Sequence, residues 1–427
     1  MPTQPKEIYT GIEIGTSTIK VAICSVANDY SINLLGWGEV PSVKVIKGEI
    51  QDNNFVRWQI KRAIDKAAQQ ANINVQDTYI VLAVGGRLVT LIMSQGTVDF
   101  NGMDLQITDD HIVAANRAAW NENLNESLQE EWACTRYFST KDEKALLTPC
   151  GHVSTFLESH ILRIAFKKRH VNAYATNVFE VIKRQLDTAV YTPIAVTCAV
   201  IPYIRSNNIP NNNNDAPSEG YLFIDIGAGV TSYALYTGMD FYTMGQITVG
   251  CDHVANDLAI AYSLHIDMAR TILRDFENLK CSVIPIGDGR TRLITAGKTP
   301  DGTVKNISAS SVEQIVQVRF LELFNIIDEK MEEEDAWRWA TGGIILSGGG
   351  AKIPKIAELA SNVFRKPVTI AKTVKIHGEE EIVSSPANLV PFGLVRVAKQ
   401  MRAVENEKNP KDPVDRVKKF IGSMFNW

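Results

Sequence analysis

One short string occurs twice in this chain and constrains its fold more than any other feature. Ile12-Glu13-Ile14-Gly15-Thr16 near the start and Ile224-Asp225-Ile226-Gly227-Ala228-Gly229 in the middle each carry an apolar strand into an acid and a glycine turn. The duplication points to two related halves closing on one nucleotide. Glycine in such a turn leaves no Cβ between backbone N–H groups and a phosphate oxygen, and the hydroxyls of Thr16, Ser17 and Thr231 can add donors. Mg²⁺ keeps most of its waters and takes one or two carboxylates plus phosphate oxygens, so Glu13 and Asp225 suit a metal held through water. Taken singly, either string is more often an ordinary hairpin corner.

A third element favours the nucleotide. Gly342-Gly343-Ile344-Ile345-Leu346-Ser347 reads as a buried strand ending in Gly348-Gly349-Gly350, followed by the helical Ile353 to Leu359. Three glycines make a flat backbone shelf that suits adenosine, whereas a lone triplet is more often a strand-to-helix turn needing positive φ. Three glycine turns in this order favour the nucleotide.

At 427 residues with 45% hydrophobic content the chain can bury a sizeable core, enough for about two to three domains. A net charge of -4 argues against a general nucleic-acid binder. Six cysteines without a Cys-x-x-Cys pair and seven histidines without ligand spacing predict reduced thiols and no structural zinc. The first residues lack the apolar core of a signal peptide, and no apolar run of about 20 residues spans a bilayer. The body is expected to be cytosolic.

Along the chain, Tyr9 to Ser25 reads as a hairpin, and Phe55 to Ala71 as a helix on the spacing of Val56, Ile60, Ile64 and Ala67. A strand is expected over Tyr79 to Val84, then shorter ones over Leu88 to Ile92 and Gly96 to Phe100, a helix over Asp109 to Asn121 and strand material over Ser154 to Ile164. The next segments read as a helix, Val171 to Leu186, and an apolar strand near Pro193 to Val200. An Asn-rich loop at 206–215 precedes the second half. The expected domains are a first core over 8–86 and 168–205 completed by 385–401, with residues 87–167 inserted as a small α+β unit. A second core covers 219–250 and 335–384, with a further insertion at 251–334.

The chain ends in Pro413-Val414-Asp415-Arg416-Val417-Lys418-Lys419-Phe420-Ile421-Gly422-Ser423-Met424-Phe425-Asn426-Trp427, after a charged linker at 402–412. At about 100° per residue, Val414, Val417, Phe420, Ile421, Met424, Phe425 and Trp427 fall within an arc of roughly 160°. Arg416, Lys418 and Lys419 add positive charge. This composition suits a helix lying on an anionic membrane, and its length of about 22 Å is too short to span one. The alternative is a terminal helix folded back on the body.

In this order the residues resemble the actin-like ATPases, and among them the FtsA family of bacterial cell-division proteins, over nearly the whole chain. The resemblance rests on Gly11 to Thr16 and Asp225 to Thr231 as two phosphate loops and Leu346 to Gly350 as the adenosine motif. Gly250 with Asn256-Asp257-Leu258-Ala259, and Ala387 with Gly393-Leu394, support it. It implies an α/β, actin-like (ribonuclease H-like) two-domain fold with a nucleotide cleft and an SHS2-type insertion at 87–167. It also implies ATP and Mg²⁺, with Asp225 and Asp257 near the metal and hydrolytic water, Lys20 reaching the phosphates and Gly250 beside them. Ser232-Tyr233 stands where the family commonly has an acid, which implies at most a weak ATPase. The family polymerises and anchors the acidic C-terminal peptide of the tubulin-like FtsZ at the inner membrane; Lys305 and Arg319 fall at basic positions of that surface. On the residues alone these two read equally as a solvated lysine and an internally paired arginine. The Gly15-Thr16-Ser17-Thr18-Ile19-Lys20 run is closer in spacing to PilM-like pilus adaptors, and a sugar kinase of the superfamily is a weaker alternative.

Overall fold

The computed structural model describes residues 7–120, 125–207, 219–238, 240–284, 292–298 and 304–406. The first half opens with β1 (Ile8–Ile14), β2 (Thr18–Val26) and β3 (Ile32–Pro41), then α1 (Asn53–Ala71) and β4 (Tyr79–Val84). Asp52 caps α1 by accepting from the Phe55 N–H at 3.1 Å, and Val56, Ile60, Ala63 and Ala67 bury one face of it against the sheet. That is the helical spacing converted to packing.

Residues after β4 leave this sheet. β5 (Val89–Asp99), α2 (Asp109–Trp120), β6 (Leu128–Ser139) and β7 (Phe156–Lys167) make a separate antiparallel sheet in the order β5-β7-β6, with α2 packed on one face. The two short strands expected at 88–100 are one strand. Gly96, expected to open the second of them, lies inside it, and the backbone of α2 at Ala115 and Ala119 occupies the space of a Cβ there. The strand β6 carried no clear sequence signal.

α3 (Lys168–Ile182), β8 (Thr188–Tyr191) and α4 (Thr192–Asn207) return the chain to the first sheet. The strand expected at Pro193 to Val200 is helical; the strand lies just before it. α4 is buried almost all round from Ile194 to Ile201, so its apolar run has no helical period, and Pro193 sits in the first turn, where its missing N–H costs nothing.

The second half repeats the opening. β9 (Tyr221–Ile226), β10 (Thr231–Tyr236) and β11 (Phe241–Ile247) are followed by α5 (Cys251–Tyr262), α6 (Ile266–Arg274), the hairpin β12 (Leu293–Lys298) and β13 (Val304–Ser308), and α7 (Ala309–Glu333). The chain closes with β14 (Gly343–Ser347), α8 (Ile356–Phe364), β15 (Val368–Ile370), β16 (Ile376–His377) and α9 (Leu389–Asn406). The two main sheets run β8-β4-β1-β2-β3-β16 and β11-β10-β9-β14-β15. In each, an antiparallel three-stranded meander is joined to parallel strands: β1 pairs with β4 and β9 with β14. One hydrophobic core surrounds the first sheet and another fills the second half. The N-terminal body is thus completed by the C-terminal helix, and Arg396 on α9, fully buried, donates to the carbonyls of Ala199 and Val374. The amphipathic segment at 413–427 lies outside the described residues. Among those described, no helix is long and apolar enough to cross a membrane.

Candidate nucleotide cleft

The duplicated strings form two hairpins of the same geometry. The Gly15 N–H bonds to the Thr18 carbonyl at 3.0 Å, and the Gly227 N–H to the Val230 carbonyl at 3.0 Å. A Cβ on Gly15 would stand 2.8 Å from the Thr18 oxygen and one on Gly227 2.7 Å from the Val230 oxygen, so both turns are tight enough to need glycine. The hairpin tips meet: a Cβ on Gly229 would lie 2.7 Å from the Thr16 hydroxyl oxygen.

Between the hairpins and the glycine shelf lies a cavity of about 640 Å³, a volume fit for a nucleotide-sized ligand. Glu13, Gly15, Thr16, Ser17, Lys20, Asp225, Gly227, Ala228, Gly229, Gly348 and Gly349 line it. Glu13 and Asp225 occupy equivalent places one residue before the end of β1 and β9. Lys20, opposite Glu13 across the strand pair, approaches its Oε2 at 3.8 Å and donates to the Ala387 carbonyl. Ser347 donates to Asp225 Oδ1 at 2.8 Å.

Burial dominates the electrostatics here. It pushes the Glu13 carboxyl up to about 7 despite Lys20, with Asp225 and Glu39 adding repulsion; burial also raises Asp225, against the Ser347 hydrogen bond and Lys20. Glu13 Oε2 is buried and accepts no hydrogen bond. Two carboxylates driven toward neutrality, one with an orphaned oxygen, are the donor set that a hydrated divalent cation completes. Among the described residues no trio of histidine, cysteine and acid side chains gathers around a metal-sized space, so the fit is to a metal held mainly by phosphate and water.

Other expected residues serve the frame. Thr231 is buried and donates to the Val249 carbonyl at 2.9 Å, so its hydroxyl faces the protein. Gly250 brings α5 onto the second hairpin: the Cys251 and Asp252 N–H groups bond to the Gly227 and Ala228 carbonyls at 3.0 and 2.8 Å. Gly350 packs against Ile226 behind the shelf. Asp257 does not line the cavity; Arg319 on α7 holds both of its oxygens, at 2.7 and 3.1 Å. Lys305 donates to the Tyr262 carbonyl at the end of α5, and Arg319 also pairs with Glu322 at 2.6 Å. The membrane-facing set Val414, Val417, Lys418, Lys419, Phe420, Ile421, Met424, Phe425 and Trp427 lies outside the described residues.

The cavity also takes Ser232, which follows the second phosphate loop, and Arg270, together with residues that sequence reasoning missed, among them Glu39, Gln246 and Asp252. Arg270 chelates Asp252 through Nε at 2.9 Å and Nη2 at 3.1 Å and reaches Asp267 at 3.3 Å, which fixes its guanidinium at the rim. No local pattern signals this pair, because its members stand 18 positions apart.

Residues 222–393 match the family described as "Cell division protein FtsA". Over 99% of this chain, the chain is 23% identical to the cell division protein FtsA of Pseudomonas aeruginosa, with 99% of that protein covered. It is 21% identical to FtsA of Escherichia coli strain K12, over 99% of this chain and 97% of that one. Among solved structures, a "PilM-PilN type IV pilus biogenesis complex" shares the fold with a TM-score of 0.62 at 16% identity, covering 92% of this chain and 99% of that one. MreB5 of Spiroplasma citri bound to ADP does so at 0.53 and 14% identity, covering 94% and 99%. The end-to-end likeness is thus to cell division proteins named FtsA, and the fold is the actin-like one that the solved structures share.

Proposed function

We propose that this chain binds ATP with Mg²⁺ in the cleft, polymerises, and tethers FtsZ to the cytoplasmic membrane through its C-terminal amphipathic segment. The observation that carries the nucleotide part is the pair of glycine hairpins of one turn geometry meeting over two half-buried carboxylates. Backbone N–H groups of both hairpins would hold the phosphates, and Lys20, already between Glu13 and the Ala387 carbonyl, would turn its ammonium toward them. Glu13 and Asp225 would orient the waters of a bound Mg²⁺ and become fully ionised there. A bound Mg²⁺ supplies charge neutralisation of the phosphates.

Adaptor function follows from the sequence of the tail and the surface of the second insertion. Ile260 and Val318 are 71% and 63% exposed, one on the turn after Asp257 and the other beside Arg319, so an apolar and acidic peptide would find both contact types there. To bind its carboxylates, Lys305 would exchange the Tyr262 carbonyl and Arg319 would share its guanidinium with Asp257. A tail of seven apolar side chains binds a membrane weakly by itself, and many tails on one polymer bind by avidity. The fold shared with the pilus complex keeps a PilM-like adaptor as the second reading, which does not need the tail.

The test is sedimentation with anionic liposomes of the full chain and of one ending at Glu407, each with and without ATP. Tail-dependent binding that rises steeply with protein concentration supports the tether. Equal binding by both chains, or by neither, favours the pilus-type adaptor.

A further inference from the structure

The polar residues of the cleft floor stand in two rows set by strand register. In the first sheet Glu13 lies opposite Lys20, and Lys20 opposite Glu39. In the second, Asp225 lies opposite Ser232, and Ser232 opposite Gln246. Directly opposed residues point to the same face of a sheet, about 4.8 Å apart per strand. The rows are therefore equivalent in position and different in chemistry. The first alternates charge and holds a cation between two acids. The second holds one acid and two neutral hydrogen-bonding groups, which suits a water molecule better than a phosphate.

Gln246 is fixed within that row. Its Nε2 donates across the cleft to the Gly86 carbonyl, just beyond the end of β4. Because Gly86 offers only an acceptor there, the nitrogen must face it, and this orients the amide. Its Oε1 is then buried with no protein donor, in a side chain that lines the nucleotide-sized cavity. A buried amide oxygen without a donor costs free energy unless a ligand or water supplies one.

We propose that Gln246 is the positioning residue for the water that attacks the terminal phosphate of bound ATP. This rests on the nucleotide reading above. Oε1 accepts one hydrogen of the water and so aims the water's lone pair toward the γ-phosphorus. The water oxygen forms the new P–O bond, the bond from the γ-phosphorus to the bridging oxygen breaks, and its electron pair leaves on ADP. The water's proton passes to an oxygen of the departing phosphate and then to solvent. Gln246 neither gains nor loses a proton. Its anchor on Gly86 also means that the water is held only while the two halves of the cleft are closed.

The experiment measures nucleotide affinity with a fluorescent ATP analogue and phosphate release in single turnover, for the unmodified full chain, Gln246→Leu and Gln246→Glu. Removing the acceptor should slow release at least tenfold with the dissociation constant changed less than about threefold, because orientation of a reacting group is lost while binding contacts remain. Gln246→Glu can donate to the Gly86 carbonyl and still offer an acceptor only in its carboxylic acid form; it should recover part of the rate at low pH and show a steeper loss of rate with rising pH than the unmodified chain. Equal rates for Gln246→Leu and the unmodified chain overturn the proposal, as does a parallel loss of affinity and rate, including a loss through misfolding that Gln246→Glu shares. If the unmodified chain binds the analogue but releases no phosphate, the positioning role fails and the nucleotide reading stands. If it binds none, the nucleotide reading itself fails.

Discussion

Arg319 grips Asp257 with two nitrogens, Nε to Oδ2 at 2.7 Å and Nη2 to Oδ1 at 3.1 Å, and so ties α7 to α5 outside the cleft. A carboxylate held in this way is a structural partner. Asp257→Asn should therefore change phosphate release by less than about twofold. Both side chains are 28% exposed, so the stability lost should stay near 1 kcal/mol. Urea denaturation and a turnover assay on the same preparation check this. A tenfold loss of turnover with intact stability would return Asp257 to the reacting centre.

The cleft carboxylates make the nucleotide-free protein sensitive to pH. Glu13 is raised from an ordinary 4.5 to about 7 by burial, so between those values the folded chain holds a proton that the unfolded chain has lost. Stability must then fall as pH rises through this window and level off above about 7. Glu13→Gln removes that contribution. Urea midpoints at pH 5 and pH 8 should differ less for the variant than for the unmodified chain. The variant should also gain stability at pH 8 while losing Mg²⁺-dependent nucleotide affinity. An unchanged pH slope would mean that another group, such as the similarly buried Asp225, carries it.

Both hairpins and the shelf were legible in the sequence because an acid and a glycine at a strand end are local features. What lines the cavity beside them was not. Gln246 and Glu39 reach it by lateral register across strands, and register depends on turn lengths and on which strands pair. Asp257 shows the converse limit. Its expected place near the metal rests on the family resemblance alone, and the helix face it occupies turns toward α7, whose position no local pattern encodes. The buried helix α4 hid for a third reason, since complete burial erases the amphipathic period.

The inserted sheet is clamped to the second half through Arg136. Its Nη2 meets Glu334 at 2.5 Å, its Nε donates to the Tyr242 carbonyl at 2.6 Å, and its guanidinium lies 4.9 Å from the Tyr242 ring centre. Next to it, the Thr135 N–H donates to Asp240 at 2.8 Å. Arg136→Met should cost about 3 kcal/mol, since it strands Glu334 and a carbonyl in a largely covered contact. Arg136→Met combined with Glu334→Gln should cost less than the sum of the two singly. Denaturation midpoints for the cycle test this, and limited proteolysis should cut within 89–167 faster in Arg136→Met. Strict additivity would show that the two side chains act independently.

Two glycines of the cleft separate folding from binding. A Cβ on Gly250 would stand 2.5 Å from the carbonyl oxygens of both Gly227 and Ala228, so Gly250→Ala must push α5 off the second hairpin. That overpacking should cost about 1–3 kcal/mol and weaken nucleotide binding together with stability. Gly349 lines the cavity, and a Cβ there meets nothing within 4 Å. Gly349→Ala should leave the melting temperature of the nucleotide-free chain unchanged. If adenosine lies flat on the shelf, the added methyl meets the ligand alone, and affinity should fall about tenfold or more with no change in stability. Thermal melts with and without ATP read both quantities at once. Unchanged affinity for Gly349→Ala would place the nucleotide away from the shelf.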